Sequence, residues 1–367
     1  MAFLPALLAA CGDGSGLPEG IAVASGTATA TNSTTATTPT PVPVATPTAT
    51  PTAPPSTVTI AFVGDVMLDR DVEAAMHAEG AGYPFGAVGS LFDGADLVVA
   101  NLEGTFTDIG IPLAKQYVFA TDPTLAPGLL DVPVWGVSLS NNHATDYGVG
   151  GLERTIETLD RNGIAHFGAG RTEAEARGGV IAARDGAPTI AFLGYSDIGE
   201  TVFASGEEGG VSRANVDAIT SDVRAMRARP DVDRVVVTLH MGTEYTHVVT
   251  PRQQELARAA IEAGADLVVA HHPHVLQPVE EYRASDGRRG LILYSLGNFV
   301  FDLDADDLAT LGEGPFQSVV AVVTFEPGQY PILELRPARI DVVENRPRPA
   351  TPEEADAILE LLQPNGR

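Results

Sequence analysis

The sequence predicts an α/β fold in which helices are layered on a mixed β-sheet, and three observations support this prediction. From Thr57 onward, short apolar runs alternate with longer segments of helical periodicity, as strand–helix units require. Several apolar runs end in polar residues suited to catalysis or metal binding, which is where α/β folds build their sites. The last part of the chain is rich in strands, which favours a sheet that is mixed rather than wholly parallel.

The strands are predicted where apolar residues run continuously, or alternate with polar ones, between turn signals. The first of them, Val58 to Val63, reads Val-Thr-Ile-Ala-Phe-Val and is expected to be buried. The predicted strands are residues 58–63, 96–100, 134–139, 189–193, 234–239, 267–270, 291–296, 318–325 and 331–340.

The helices are predicted from apolar residues at helical spacing and from signals at the helix start. Leu152, Ile156 and Leu159 lie on one face of the segment 150–162, and Pro251 opens the segment 251–263. The predicted helices are residues 70–78, 122–130, 150–162, 216–228, 251–263 and 351–362, of which the last is expected outside the core.

Composition argues against nucleic acid as a partner and against a transmembrane helix. The chain has 367 residues and a formal net charge of −26, which argues against binding nucleic acid because phosphate contacts need Lys and Arg. The hydrophobic content of 44% is ordinary for a globular protein. Since no apolar run reaches about 18 residues, no transmembrane helix is predicted.

The single cysteine, Cys11, marks a predicted lipid anchor. It ends the run Leu7-Leu8-Ala9-Ala10, which resembles a bacterial lipobox whose cysteine becomes the lipidated first residue of the mature protein. A signal peptide opens with basic residues, yet the first basic residue here is Arg70, so we expect the native start upstream of Met1. Residues 1–25 are therefore interpreted as a signal and lipobox region; the alternative is an incidental cysteine.

Residues 26–57 are interpreted as a disordered linker. The segment consists largely of Thr, Ala, Pro and Ser and carries no charge and no aromatic residue. Such a composition cannot bury enough apolar surface to offset the entropy of ordering, and repeated proline keeps the chain extended. The segment would tether the following domain to the anchor.

The polar residues at the predicted strand ends form a candidate site. Three of the eight histidines lie in His271-His272-Pro273-His274, directly after a predicted strand. A strand end that turns into a loop can aim His272 and His274 at one point, whereas His271 is expected to face away. Neutral imidazole is the commonest protein ligand for transition metals. The other strand-end residues are Asp65, Glu103, Asn142, His143 and His240.

Six motifs in this order resemble the CapA family, which is associated with capsule and poly-γ-glutamate synthesis and looks like a branch of the calcineurin-like metallophosphoesterases. The resemblance covers about residues 57–341. The motifs are Gly64-Asp65-Val66-Met67-Leu68, Asn101-Leu102-Glu103-Gly104, Ser140-Asn141-Asn142-His143-Ala144-Thr145-Asp146-Tyr147-Gly148, His240-Met241-Gly242-Thr243-Glu244-Tyr245, His271-His272-Pro273-His274-Val275-Leu276-Gln277 and Tyr294-Ser295-Leu296-Gly297-Asn298-Phe299.

The resemblance implies a metallophosphatase-like four-layer α/β/β/α sandwich with one or two divalent transition-metal ions, Mn, Fe or Zn. It implies a domain over residues 58–345 and leaves 346–367 as a C-terminal tail with a short helix. His143 would donate a proton to the leaving group, and Glu103 would act as a ligand or a base. The implied metal ligands are Asp65, Glu103, Asn142, His240, His272 and His274.

The chain departs from the phosphoesterase pattern in two places: Met67 stands in place of the histidine of an Asp-x-His motif, and Glu103 lies in Asn-Leu-Glu rather than in Gly-Asp. Two further residues are candidates for substrate binding. Lys115 is the one lysine among 22 basic residues, which suggests that a compact ammonium is needed there. Asn298 is a turn signal first and a candidate pocket residue second.

The sequence therefore predicts an extracytoplasmic, membrane-anchored lipoprotein that acts in capsule or poly-γ-glutamate synthesis or export as a metal-dependent hydrolase or transferase. Its expected partners are an anionic polymer or cell-envelope substrate, the membrane through the lipid anchor, and a membrane synthase complex, with no nucleic acid. The alternative is a non-catalytic component that binds the polymer or the synthase and carries a degenerate metal site. Met67 favours this alternative, whereas Asn142, His143 and the His272–His274 pair favour the enzyme.

Overall fold

A computed structural model describes residues 57–363, which form eighteen strands and seven α-helices. Residues 1–56, which include Cys11, lie outside the described residues, so the lipobox and the linker stay predictions. The strands are β1 Val58–Val66, β2 Leu97–Leu102, β3 Thr105–Phe106, β4 Ala120–Thr121, β5 Val134–Ser138, β6 Ala165–Phe167, β7 Ala169–Gly170, β8 Val180–Ala182, β9 Ile190–Ser196, β10 Gly210–Val211, β11 Arg234–His240, β12 Leu267–His271, β13 Leu276–Arg283, β14 Arg289–Leu296, β15 Asn298–Val300, β16 Gln317–Phe325, β17 Ile332–Asp341 and β18 Arg346–Pro349. The helices are α1 Asp71–Glu79, α2 Gly148–Arg161, α3 Glu173–Gly178, α4 Val216–Arg227, α5 Pro251–Ala263, α6 Ala305–Leu311 and α7 Pro352–Leu361.

Two large mixed sheets organise the described residues. The first has eight strands in the order β18-β17-β16-β1-β2-β5-β6, with β15 added beside β1. Its strands β1, β2, β5 and β6 are parallel, whereas β16, β17 and β18 pair antiparallel. The second has six strands in the order β13-β14-β12-β11-β9-β8, parallel in the middle and antiparallel at both edges. The predicted α/β fold with mixed sheets is confirmed.

Three apolar cores separate four layers. In β1, Ala61 and Val63 pack into a core with α1 and α2, whereas Ile60 and Phe62 point into a core shared by the two sheets. On the second sheet the same alternation sends one face into the shared core and the other against α4 and α5. This is the side-chain period of two that a strand imposes. The order of layers is therefore α/β/β/α.

The C-terminal segment is part of this packing. Strand β18 pairs with β17 at the edge of the larger sheet, and Ile358 of α7 is buried in the core shared by the sheets. Leu362, just after the helix, is buried there as well. The prediction that the helix over 351–362 lies outside the core is wrong, because Ile358 and Leu362 pack into that shared core.

All nine predicted strands are found, and five of the six predicted helices are α-helices; α5 has the predicted bounds, and the other four have ends shifted by one or two residues. The exception is the helix predicted over 122–130, which is a 3₁₀ helix at Pro123–Asp131. Pro127 lies inside it and has no backbone N–H to donate, so the regular α-helical hydrogen-bond ladder cannot form. No helix within residues 57–363 is both long and apolar enough to span a bilayer.

The carboxyl edges of the parallel strands in both sheets meet at one place. The hydroxyl groups of Ser138 on β5 and Thr238 on β11 lie 3.1 Å apart and link the two sheets there. Gly64 allows β1 to pass close to the turn before β15, because a Cβ at this position would lie 2.0 Å from the carbonyl oxygen of Gly297. The topology therefore collects the residues that follow five different strands.

Candidate metal centre

The candidate site is built by residues at the ends of β1, β2, β5, β11 and β12. Six predicted ligands come together here and are buried; they are called the strand-end cluster. This follows from the parallel arrangement, since the carboxyl ends of parallel strands share one edge of a sheet. The strand-end cluster consists of Asp65, Glu103, Asn142, His240, His272 and His274.

Asn101 joins the two carboxylates of the strand-end cluster. Its Nδ2 donates to Asp65 Oδ1 at 2.8 Å and lies 3.4 Å from Glu103 Oε2. The register of β1 and β2 places Asp65 directly beside Asn101, so the contact is set by strand pairing. The Oδ1 of Asn101 in turn accepts a hydrogen bond from the side chain of Asn141 at 3.0 Å. The amide of Asn101 thus links the two carboxylates.

Asn142 and His240 connect the two sheets across the site. His240 Nε2 lies 2.7 Å from Asn142 Oδ1 and 3.8 Å from Glu103 Oε1. The backbone N–H of His143 donates to Asn141 Oδ1 at 3.0 Å, which fixes the turn that carries Asn142. Both the amide oxygen of Asn142 and the imidazole of His240 are therefore presented to the same point as Glu103.

The three histidines after β12 have different roles. His271 Nε2 bonds to the carbonyl oxygen of Val63 at 3.1 Å, so this side chain faces away from the site as predicted. His274 Nδ1 donates to Asn298 Oδ1 at 2.8 Å and lies 3.3 Å from Asp65 Oδ2, which leaves Nε2 3.7 Å from Glu103 Oε1. Asn298 thus contacts the site through His274. Hydrogen bonds of this kind orient imidazoles that bind metals.

The backbone at these histidines is strained. His272 has φ of 97° and His274 has φ of 56°, values that residues with a Cβ rarely adopt. Such strain costs about 1–3 kcal/mol per residue and persists where the surroundings enforce a functional geometry. The imidazole centroids of His272 and His274 lie 5.9 Å apart.

His143 stands beside the strand-end cluster with an acidic partner behind it. Its Nδ1 donates to Asp146 Oδ2 at 2.7 Å, so Nε2 faces Glu103 Oε1 at 4.0 Å. The Phe119 ring packs on the imidazole with centroids 4.3 Å apart. Lys115 lies behind this pair, with its Nζ 2.6 Å from Asp146 Oδ1 and 2.7 Å from the carbonyl oxygen of Asn142.

The two buried carboxylates of the site have pKa values shifted in opposite directions. Burial would raise the pKa of Asp65, but a hydrogen bond from His274 and the charges of His271 and His274 hold it below its usual value. Burial and the nearby Asp65 charge raise the pKa of Glu103 well above its usual range. Two adjacent buried carboxylates therefore cannot both ionise easily without a cation between them.

The imidazoles of the site also have pKa values shifted in opposite directions. Burial lowers the pKa of His240, of His143 and of His272, the last to about 3. For His274, burial opposes protonation, but the charges of Glu103 and Asp65 and its hydrogen bonds raise the pKa to about 10. His274 is therefore the cation that the metal-free site supplies for its own carboxylates.

The atoms without partners fit a bound metal ion. Glu103 Oε1 and His272 Nδ1 are buried and accept no hydrogen bond within residues 57–363. Ligand atoms of Asp65, Glu103 and His240 all lie within 4.8 Å of one another, and those of Glu244, His272 and His274 do the same. Buried polar groups are otherwise almost always satisfied, so these orphans point to a missing ligand.

The structure brings together the predicted Asp65, Glu103, Asn142, His143, His240, His272 and His274; their chemical roles stay predictions. The sequence interpretation did not assign roles to four residues of the same site: Asn101, Asn141, Asp146 and Glu244. All four lie within the recognised motifs, so the signal was present. What was missing was the direction of each side chain, which spacing within a motif does not reveal.

Lys115 gives a testable prediction about this geometry. Replacing Lys115 with Ala removes the cation that lies 2.6 Å from Asp146, so we expect kcat to fall about tenfold and its pH profile to shift. Lys115→Arg should restore this only in part, because a guanidinium differs in shape and hydration. Steady-state kinetics across pH make the measurement. A rise in KM at unchanged kcat would instead support the substrate contact predicted from the sequence.

The fold and the site define an α/β/β/α protein with a candidate metal centre at the strand ends. The profile of the family described as "Bacterial capsule synthesis protein PGA_cap" matches residues 59–303, about two thirds of the chain. The chain belongs to this family, and the predicted resemblance to CapA proteins is confirmed.

Two curated relatives carry CapA in their names. The chain is similar to the PGA biosynthesis protein CapA of Bacillus subtilis, with 34% identity over 67% of this chain and 63% of that protein. It is similar to the capsule biosynthesis protein CapA of Bacillus anthracis, with 33% identity over 67% of this chain and 60% of that protein. The chain thus spans less than two thirds of the length of these relatives.

Among solved structures, the chain matches that of the sulfate thiohydrolase SoxB from Thermus thermophilus in complex with glycerol. The match covers 85% of this chain and 60% of the SoxB chain, with 16% identity and a TM-score of 0.41. The assignment of four layers rests on this chain's own sheets and cores rather than on that similarity.

Proposed function

We propose that this protein is a metal-dependent hydrolase or transferase that acts on an anionic polymer or cell-envelope substrate during capsule or poly-γ-glutamate synthesis or export. The observation that carries the proposal is His143, whose Nδ1 is held by Asp146 while Nε2 faces Glu103 at 4.0 Å. A buried acid–base group oriented toward a set of metal-type donors is the arrangement that hydrolytic metal centres use.

The strand-end cluster would hold the metal, with Mn, Fe or Zn favoured by its mixture of imidazole, amide and carboxylate donors. A bound divalent cation supplies Lewis acidity and lowers the pKa of coordinated water. The protein's own contribution is positional: Asn101 aligns the carboxylates, and Asn298 keeps His274 Nε2 directed inward.

His143 is the proposed proton donor to the leaving oxygen or nitrogen. Asp146 holds its Nδ1 proton, so only Nε2 can exchange a proton with the substrate. Burial lowers the pKa of His143, which makes the protonated imidazole a stronger acid. Phe119, packed on the ring, keeps water from that face and limits rotation of the imidazole.

The net charge of −26 repels a polyanionic substrate, so binding needs a local positive charge. The exposed Arg70 is suited to supply it. The Arg70 guanidinium lies 5.5 Å from the Tyr117 ring centroid and 4.8 Å from that of Phe119, one ring away from His143. It forms no ion pair within residues 57–363, unlike most arginines in that range. Arg70 is therefore free to bind a carboxylate or phosphate of the substrate.

The direct test is cleavage by the full protein loaded separately with Mn²⁺, Fe²⁺ or Zn²⁺. Poly-γ-glutamate and a small phosphodiester serve as substrates, and the release of new amine ends or of the leaving alcohol is measured. The proposal expects turnover of one substrate class that chelation abolishes and that metal restores. Polymer binding without cleavage in every metal-loaded form would support the non-catalytic alternative instead.

Membrane attachment through Cys11 is part of the proposal and is tested separately. The short apolar run before the single cysteine supports it, as does the uncharged Thr- and Pro-rich segment after it. Replacing Cys11 with Ser in the protein expressed from its native gene should move the protein from the membrane fraction to the soluble fraction. Ser15→Ala is the matched control and should stay in the membrane fraction. Equal membrane retention of both variants would exclude the lipid anchor.

A further inference from the structure

Position 67 supplies no ligand to the candidate metal centre. Met67 is fully buried, and its Sδ accepts a hydrogen bond from the backbone N–H of Asp69 at 3.1 Å. The thioether is therefore engaged within its own loop. Since the Asp-x-His pattern would place an imidazole here, one metal position lacks a donor from the β1 side.

Glu244 approaches the site from another loop, the one after β11. A carboxylate oxygen of Glu244 and ring nitrogens of His272 and His274 all lie within 4.8 Å of one another. Within residues 57–363, the Glu244 carboxylate accepts no hydrogen bond and forms no ion pair within 4 Å. An exposed carboxylate without a partner, aimed at two imidazoles, is free to bind a cation.

Backbone hydrogen bonds fix this loop to the histidine turn. The N–H of Tyr245 donates to the carbonyl oxygen of Pro273 at 2.8 Å, and the N–H of Met241 donates to that of His271 at 3.0 Å. Tyr245 also has a positive φ of 57°, like His272 and His274 in the opposing turn. Strain on both sides of the same contact indicates that the relative position of Glu244 and the two imidazoles is enforced.

A second, independent observation points to a ligand at this place. His272 is only 5% exposed, and its buried Nδ1 has no hydrogen-bond partner within residues 57–363. A buried ring nitrogen normally bonds to protein or ordered water. The orphaned nitrogen belongs to the same group of three residues as Glu244.

We propose that Glu244 is a metal ligand and that, with His272 and His274, it forms one position of the metal centre, to which position 67 contributes no donor. Two imidazoles and one carboxylate suit Zn²⁺, Fe²⁺ or Mn²⁺, with the remaining coordination positions open to water or substrate. The proposal rests on the metal centre of the proposed function and assigns one of its positions to a residue outside the strand-end cluster.

The test is a calorimetric titration of the metal-free full-length protein with Zn²⁺, which reports stoichiometry and affinity without an activity assay. Glu244→Gln should weaken one Zn²⁺ equivalent at least about 100-fold, more than the loss typical of residues that only support ligands. Glu244→Asp keeps the charge on a shorter side chain and should lose less. Glu207→Gln, at another exposed glutamate, is the matched control and should titrate like the wild type.

The outcomes separate this inference from the proposed function. If the wild type binds Zn²⁺ and Glu244→Gln binds it with the same stoichiometry and affinity, Glu244 is not a ligand, while the metal centre stands. If the wild type binds no Zn²⁺, both the metal centre and the role of Glu244 fail. Unchanged thermal melting of metal-free Glu244→Gln, expected for an exposed residue, would show that weaker binding reflects lost ligation rather than unfolding.

Discussion

Replacing Glu103 with Gln is expected to lower metal affinity at least about 100-fold and to abolish turnover. The reason is that Glu103 Oε1, from the first sheet, lies 3.7 Å from His274 Nε2 and 3.8 Å from His240 Nε2, two histidines carried by the second sheet. Glutamine has nearly the same volume, so the buried site stays filled and the metal-free protein should still fold. Metal titration and circular dichroism of the same sample make the measurement.

The matched control for this variant is Glu153→Gln, at an exposed position of α2. It makes the same change from glutamate to glutamine at the surface and should leave metal affinity and turnover at wild-type values. Full metal binding by Glu103→Gln would exclude Glu103 as a ligand. A loss of folded structure without metal would show that Glu103 acts in stability rather than in coordination.

Replacing His143 with Ala is expected to lower turnover about 10²–10⁴-fold while metal stays bound, the range that general acid catalysis supplies. His143 belongs to neither group of possible ligands, and its Nε2 stops 4.0 Å from Glu103 Oε1. Losing the proton donor should therefore slow the reaction without emptying the site. Kinetics on samples of matched metal content separate the two effects.

His166→Ala is the control for removal of a histidine. His166 lies on β6 and pairs with Asp160 at 3.1 Å, in contact with no residue of the strand-end cluster. This variant should keep wild-type kinetics. Turnover unchanged in His143→Ala, or metal lost together with activity, would contradict the role of His143 as proton donor.

The fold was predictable from the sequence in its elements and only partly in its packing. The nine predicted strands have clear apolar runs, and α5 begins at Pro251 because Thr250 and Gln253 form a capping box there. Periodicity alone could not divide the strands between two sheets, because both faces of strands such as β1 are buried. The resemblance supplied the four layers, and the structure supplies the pairing.

The last helix shows the limit of local reasoning. The sequence analysis predicted a terminal helix outside the core over residues 351–362. Ile358 of α7 is nevertheless fully buried in the core shared by the two sheets. A helix needs only a narrow apolar stripe when the surface that it covers is small, and the sequence does not show how large that surface is.

The candidate site was predictable where residues follow strands and was not predictable where loops meet. Asp65, Glu103 and His240 each end a parallel strand, so topology brings them together. Glu244 lies near His272 where two loops are joined by backbone hydrogen bonds, among them Tyr245 N–H to the carbonyl oxygen of Pro273, and spacing does not encode these contacts.

Lys115 illustrates the same limit from the side of composition. As the one lysine of the chain it was singled out as chemically particular, and its ammonium does lie beside His143's partner Asp146. Composition could not tell whether that ammonium contacts substrate or another side chain. The distance of 2.6 Å to Asp146 makes a positioning role the first one to test.

The most direct test of the metal centre is the elemental content of the full protein purified without chelators. The strand-end cluster, the orphaned Glu103 Oε1 and the orphaned His272 Nδ1 predict one or two equivalents of Mn, Fe or Zn per chain, removed by chelation and restored by the ion. No metal after purification, and none after reconstitution with any of the three ions, would contradict the account.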